Sequence, residues 1–352
     1  MPQPQQGGLL TLRSYVVARV LLTIPMVLLL LTLVFVILRV IPGDPVLLHF
    51  EKSASPAAMD AMRHELGTDK PLINQYIDYV WGLLHGDMGK SMIDYSPVSQ
   101  QVMSAFPATL ELAIYSTAFA VVLGILLGVQ SSRRFHSAQD HGIRTFGTIT
   151  YSLPVFFLGM VLQLTLAVGL HLFPTGGRIA IGMEPVGLTI GSFHIATGLF
   201  TVDTLLEGNL VKFVTALRYL FLPTISLGLV ICGTFIRMTR SNMLETLRMD
   251  FVTAAKARGL PNRVITYTYA LKNAFLPILT MIGLQFAALL AGAVLTETTF
   301  SWPGLGSYLV GRIGFRDYTA IQGAVVFFGL LVTLVSLVVD LLYAYLDPRV
   351  RL

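Results

Sequence analysis

The sequence predicts an all-α integral membrane protein with six transmembrane helices. Three observations carry that prediction. First, 54% of the 352 residues are hydrophobic and only 12% are charged, against about 25% charged in a typical soluble domain. Second, six stretches free of Asp, Glu, Lys and Arg lie at 20–38, 112–132, 145–177, 219–236, 273–296 and 318–339. Each is close to the length of about 20 residues that a helix needs to cross about 30 Å of hydrocarbon. Third, basic residues gather in alternate connecting segments, the charge asymmetry that orients membrane proteins. The spans are helical because an open strand would leave backbone N–H and C=O groups unpaired in lipid.

The inner segments hold Arg13 and Arg19, then Arg133, Arg134 and Arg144, then Arg237, Arg240, Arg248, Lys256, Arg258, Arg263 and Lys272, and finally Arg349 and Arg351. The first outer segment is net acidic, with four Lys/Arg (Lys52, Arg63, Lys70, Lys90) against eight Asp/Glu. The expectation is a multi-pass protein with both termini cytoplasmic.

Residues 1–43 form the N-terminus and first span. The apolar run is longer than a signal-peptide core, and Ile41-Pro-Gly-Asp-Pro45 offers no small-x-small cleavage site. Residues 44–106 form a small extracytoplasmic helical subdomain. Ser55-Pro56 starts one helix that Gly67 can end, and Lys70-Pro71 opens another. In the second, Leu72, Tyr76, Tyr79 and Leu83 recur at helical spacing and form one face. A loop at 86–96 then leads to Pro107 and the second span. The core runs over 107–345 and a cytoplasmic tail over 346–352. Further outer segments lie at 172–218 and 297–317. Within the first of these, 185–202 is uncharged but thin in Leu and rich in Gly and Thr. It reads as a folded or interfacial loop rather than a seventh span.

Several function classes lose support. Gly86-Asp-Met-Gly89-Lys90-Ser91 has two residues where a phosphate-binding loop needs four, and no strand pattern precedes it. Energy must therefore come from another subunit or an ion gradient. The seven histidines are scattered. His136 and His141 flank Asp140, but a solvated loop explains them, and no metal site is expected. The single cysteine, Cys232, excludes an intrachain disulfide. There is no paired-carboxylate or Ser/His/Asp arrangement, so no catalytic residue is assigned and the chain is not expected to be an enzyme. No Lys/Arg run suggests nucleic acid. Ionisable residues near the spans sit only at their ends, at Glu111, Glu297 and Asp340, which argues against a self-sufficient proton-coupled transporter or channel. Gln163 and Gln285 either line a polar path or bond neighbouring helices. The small-residue runs at 123–128 and 287–293 allow close helix packing, inside the bundle or against a similar subunit.

The segment 237–277 is the longest strongly basic one and joins two apolar runs. Leu244, Leu247 and Phe251 recur as an apolar stripe. Thr253-Ala-Ala-Lys-Ala-Arg-Gly259-Leu-Pro261 follows, in which alanines favour helix and Gly259 with Pro261 ends it. A short helix is predicted over about 251–260, and a second from about 262 to 276.

This segment resembles the "EAA" loop of permease subunits of bacterial ABC importers, whose pattern is Glu-Ala-Ala-x-x-x-Gly with Leu-Pro eighteen residues beyond. Ala254, Ala255, Gly259 and Pro277 match, and Thr253 replaces the acidic residue, as in the peptide/nickel branch. Further matches are Ile41-Pro-Gly-Asp-Pro45, the 86–91 loop, Pro107-Ala-Thr-Leu-Glu111, Arg237-Met-Thr-Arg240-Ser-x-Met243-Leu-Glu245, Leu295-Thr-Glu297-Thr-x-Phe-Ser-Trp302-Pro-Gly-Leu-Gly306 and Asp347-Pro-Arg349. The whole chain is similar to the first, or B-type, permease of dipeptide/oligopeptide/nickel importers. That resemblance implies the type I ABC importer fold and a bacterial inner (cytoplasmic) membrane location. It implies a homologous C-type permease, two cytosolic ABC ATPases that bind the ATP and Mg, and an extracytoplasmic substrate-binding protein touching segments 44–106 and 298–318. This chain itself would bind no cofactor. Thr253, Ala254, Ala255, Lys256, Arg258, Gly259 and Leu260 would couple to an ATPase. Peptides are the implied substrate, with nickel or oligosaccharides as alternatives.

Overall fold

Long apolar runs make long helices here, and Pro and Gly decide where they break. The computed structural model describes residues 12–40, 56–65, 69–190 and 193–346. Ile41–Pro45, Gly67 and the tail beyond 346 lie outside the described residues. The first helix is α1 (Leu12–Val40), followed by α2 (Pro56–Glu65), α3 (Leu72–Leu84) and α4 (Val98–Arg133). α5 (Ala138–Ser152) and α6 (Val155–Leu162) come next, and a wide helical turn extends α6 over Gln163–Gly169. A short hairpin, β1 (Leu188–Ile190) and β2 (Phe193–Ile195), precedes α7 (Phe200–Leu206) and α8 (Leu210–Thr246). α9 (Asp250–Ala257) and α10 (Asn262–Val264) lead through a second wide turn into α11 (Leu271–Gly292). α12 (Val294–Thr299), α13 (Leu305–Gly314) and α14 (Tyr318–Leu346) complete the chain.

Among the described residues, five helices are long and apolar enough to cross a membrane, in α1, α4, α8, the α10–α11 unit and α14. The third expected span differs. It is two helices, α5 and α6, bent by 100° at their junction. Pro154 is the cause. It lacks an N–H and forces Leu153 into extended backbone (ψ 132°), so α5 cannot continue and α6 begins afresh. Counted as one broken span, the pair makes six. Within 185–202, Thr189 is paired to His194 in the hairpin and α7 begins at Phe200.

α4 and α8 form the central pair. A Cβ on Gly128 would lie 2.6 Å from the Thr239 Cβ, and one on Gly228 would lie 2.6 Å from Phe119 Cδ1. The small residues at 123–128 thus serve packing within this bundle. Leu112, Leu220, Leu290 and Trp302 fill the core where α4, α8 and α11 meet. α1 packs on α14, where Leu31, Val34 and Val326 are buried together. Its other face leaves Leu21, Leu22, Ile24 and Leu29 exposed, as a lipid-facing surface requires. Arg19 near the start of α1 pairs with Asp340 near the end of α14 at 3.2 Å, so these two ends lie side by side.

α3 rests on α1. Tyr76 and Tyr79 of α3 pack on Phe35 with ring centroids 5.3 and 5.7 Å away, and Leu83 joins the same cluster. Leu72, expected on that face, is 61% exposed; the face begins a turn later. α4 starts at Val98, well before Pro107, and carries that proline within it.

Three of the motifs noted in the sequence turn out to tie loops together. Glu111 is buried, with Arg178 donating to Oε2 at 2.6 and 3.0 Å and Thr201 donating to Oε1 from both N and Oγ1 at 2.7 Å. Arg178 also lies over the Phe200 ring at 3.7 Å. Glu297, fully buried, accepts from Thr109 Oγ1 at 2.6 Å and from Ser307 N at 2.9 Å, while Trp302 Nε1 donates to the Ala108 carbonyl at 2.8 Å. Gly304 is glycine because a Cβ would strike the Glu297 carboxylate. In the 86–91 loop, Ser91 Oγ donates to Asp317 at 2.6 Å. That loop is a clamp on the start of α14, not a phosphate cradle. Beside it, bonds from Ser96 and Arg312 hold the Asp94 carboxyl well below the usual carboxylate range.

Candidate functional site

The basic segment between α8 and α11 is built as a rigid, exposed projection. α8 ends at Thr246, and Met249 is extended (φ −73°, ψ 151°), so the chain turns before α9. This break interrupts the expected stripe of Leu244, Leu247 and Phe251, which do not lie on one helix. Leu247 and Phe251 still meet, around a small core of Val252, Ala255 and Ile265. Asp250 in the first turn of α9 and Lys256 in the last both suit the helix dipole.

The end of α9 is a Schellman cap. Leu260 N donates to the Ala255 carbonyl at 3.3 Å and Gly259 N to the Lys256 carbonyl at 2.9 Å. Gly259 has φ +73°, a conformation that costs an L-residue with a side chain about 1–2 kcal/mol. Nothing lies within 4 Å of a Cβ built there, so conformation rather than internal crowding selects glycine.

These turns divide the predicted coupling residues by face. Thr253, Ala254, Lys256, Arg258 and Gly259 are exposed, and Leu260 is half-buried. Ala255 is only 4% exposed and points at the chain's own Ile265. Its small size therefore seats α9 on the following helical arm.

Asp140 is the residue that sequence reasoning undervalued. Its carboxylate is fully buried and receives Arg240 Nε and Nη2, each at 2.8 Å. Ser131 Oγ and His136 N also donate to it. The pair braces the 134–137 turn against the last stretch of α8. His136 and His141 are loop neighbours of this brace.

Gln163 donates to the carbonyls of Thr175 at 2.6 Å and Thr299 at 3.0 Å, and Gln285 is half-buried on α11. The two glutamines share no partner. A cavity of about 350 Å³ lies elsewhere, between α5 and α8, lined by Arg144, Thr148, Tyr151, Arg237, Arg240 and Ser241. Its walls approach closely because Gly147 and Gly233 face each other; a Cβ on Gly233 would strike the Gly147 carbonyl. The Arg237 guanidinium lies 5.4 Å from the Tyr151 ring.

Comparison with known proteins follows the same outline. Residues 120–352 match the family model described as binding-protein-dependent transport system inner membrane component, and residues 12–113 match its N-terminal companion. The chain is 41% identical over 341 residues to the di/tripeptide transport system permease protein DppB of Pseudomonas aeruginosa, covering 96% of this chain and 98% of that one. It is 40% identical over 339 residues to the dipeptide transport system permease protein DppB of Escherichia coli K12, with the same coverage. The glutathione transport system permease protein GsiC of Pectobacterium atrosepticum is 33% identical over 338 residues, covering 96% of this chain and 99% of that protein. Among solved structures, a chain of the inward-facing MetNI methionine ABC transporter superposes with a TM-score of 0.51 at 15% identity, over 70% of this chain and 97% of that chain. That last likeness concerns the fold, and it is the type I importer permease fold. With both sections matched and relatives aligned along almost its whole length, this chain belongs to the binding-protein-dependent transport system inner membrane component family.

Proposed function

We propose that this chain is one of two homologous permeases in an ATP-driven importer of di- and oligopeptides, forming half of the translocation path. The observation that carries the coupling role is the projection itself. α9 is exposed on one face and seated on the other, Lys256 and the capping Arg258 place positive charge at its end, and short turns join it to two spans. A push on α9 is thereby transmitted into α8 and α11. The partner is a cytosolic ABC ATPase, one of two, which carry the ATP and Mg. Thr253, Ala254, Lys256, Arg258, Gly259 and Leu260 form the docking surface, with Ala255 beneath them.

The Arg19–Asp340 pair supports placing both termini on one side, and the basic inner segments support the cytoplasm as that side. Segments 44–106 and 298–318 face the extracytoplasmic binding protein, and Gln285 remains a candidate for the path. The peptide substrate is supported by the relatives, whose transport systems are named for di- and tripeptides, dipeptides and glutathione. Uptake of radiolabelled dialanine by cells carrying the whole importer tests this reading. Uptake should vanish when this chain is deleted and return when it is restored. Cells that import nickel or an oligosaccharide through it, and no peptide, would refute the substrate.

A further inference from the structure

We infer that the cavity between α5 and α8 is a subsite of the translocation path that takes the carboxylate of the passing substrate. The inference rests on the peptide reading above and adds a location and named residues to it.

α5 has three faces. Gly147 and Thr150 are buried on the packed one. Phe146 and Ile149, at 37% and 55% exposure, form an apolar one suited to lipid. Arg144, Thr148 and Tyr151 follow at i, i+4 and i+7 and form a polar one. Thr148 and Tyr151 fall inside the third charge-free stretch, at 145–177. A polar stripe that starts at the inner end of a span and runs into it faces a water-filled cavity, since lipid offers such groups no partner. Here the stripe faces the α5–α8 cavity.

α8 supplies the opposite wall. From Leu222 to Ile236 no residue of α8 is exposed; Arg237 and Ser241, one turn apart, are the next that are. Both line the cavity. Its three arginines are not equivalent. Arg240 is neutralised by Asp140. Arg144 and Arg237 form no ion pair with a carboxylate among the described residues, so the cavity keeps two cations without an internal counter-charge. Guanidinium forks match a carboxylate with two parallel hydrogen bonds, and Tyr151 and Ser241 add hydroxyls beside them, while Thr148 Oγ1 donates to the Arg144 carbonyl at 3.0 Å. The volume of about 350 Å³ falls in the range of about 300–1,000 Å³ of small-ligand pockets. A phospholipid phosphate would satisfy the same cations, but the apolar face of α5 is turned away from them, which favours a solute in a wet path.

The test uses the full importer, with its ATPases and binding protein, in proteoliposomes supplied with radiolabelled dialanine. Arg144→Gln with Arg237→Gln should lower uptake at limiting dialanine at least about tenfold, the equivalent of about 1.4 kcal/mol. Arg144→Lys with Arg237→Lys, which keeps the charges and loses the forks, should recover only part of it. Membrane content of the chain and copurification of the ATPases report whether the Gln pair still assembles. Independently, a photoreactive residue in place of Ser241 in the otherwise unaltered chain should capture dialanine during turnover, and excess unlabelled dialanine should compete. Full uptake by an assembled Gln pair overturns the inference, as does the absence of a dialanine adduct at 241. So does a Gln pair that loses bound phospholipid while uptake persists, since the site is then a lipid site. If the unaltered importer takes up no dialanine at all, the peptide reading falls first and this subsite with it.

Discussion

Gly259→Arg is expected to abolish peptide import while leaving the chain in the membrane. Two effects act together. The residue sits at φ +73°, so any side chain adds about 1–2 kcal/mol of local strain. More important is where the side chain goes. Apart from its chain neighbours, nothing among the described residues lies within 4 Å of its Cβ, so the arginine side chain leaves from the exposed face of the α9 cap. A partner seated there would be held off, and a misfit of even about 1.4 kcal/mol lowers docking tenfold. Gly259→Asn separates the two causes, because Asn tolerates this backbone conformation and is small. We expect Asn to retain most uptake and Arg to retain little, at equal chain levels by immunoblot. Equal losses in both would place the defect in the turn alone.

Arg178→Ala should be the most damaging single change to stability. The side chains of Arg178 and Glu111 are 7% and 2% exposed, and their ion pair is 2.6 Å long. Removing the cation leaves a buried carboxylate whose remaining donors come from Thr201 alone. Breaking such a pair from one side costs about 3–5 kcal/mol. The expected readout is a lower Tm for the detergent-solubilised importer and less chain in the membrane. Replacing both partners, as in Glu111→Gln with Arg178→Met, should recover much of the loss, because an uncharged pair carries no desolvated charge. If Arg178→Ala melts like the parent protein, the knot joining α4 to the 172–218 segment contributes no stability.

The sequence was most informative where one interaction dominates. Burial in lipid leaves little choice but helix, so the apolar runs marked α1, α4, α8, α11 and α14 closely. The cap at Gly259 and Pro261 was legible because few residues tolerate that backbone. The third span was less so. Its run is free of charge, and charge alone cannot reveal that Pro154 turns the chain by 100°. The stripe through Leu244, Leu247 and Phe251 has helical spacing, yet an extended Met249 divides it. The small size of Ala255 suits a partner as well as it suits Ile265, and only the fold shows the second contact. Glu111, Asp140 and Glu297 stood out by charge, but their partners lie 67, 100 and 188 residues away in sequence. No local pattern carries that information. The α5–α8 cavity stayed hidden for the same reason, since its arginines come from two separate segments.

On the proposed reading, α9 docks on an ATPase with one face and rests on its own chain with the other. Single cysteines at 252–258, in a chain with Cys232 replaced, test it most directly by crosslinking within the assembled importer. The account predicts ATPase adducts from positions 253, 254, 256 and 258, and few or none from 252 and 255, the buried side. Adducts from 252 and 255 in preference to the others, or no ATPase adduct at any position, would contradict it.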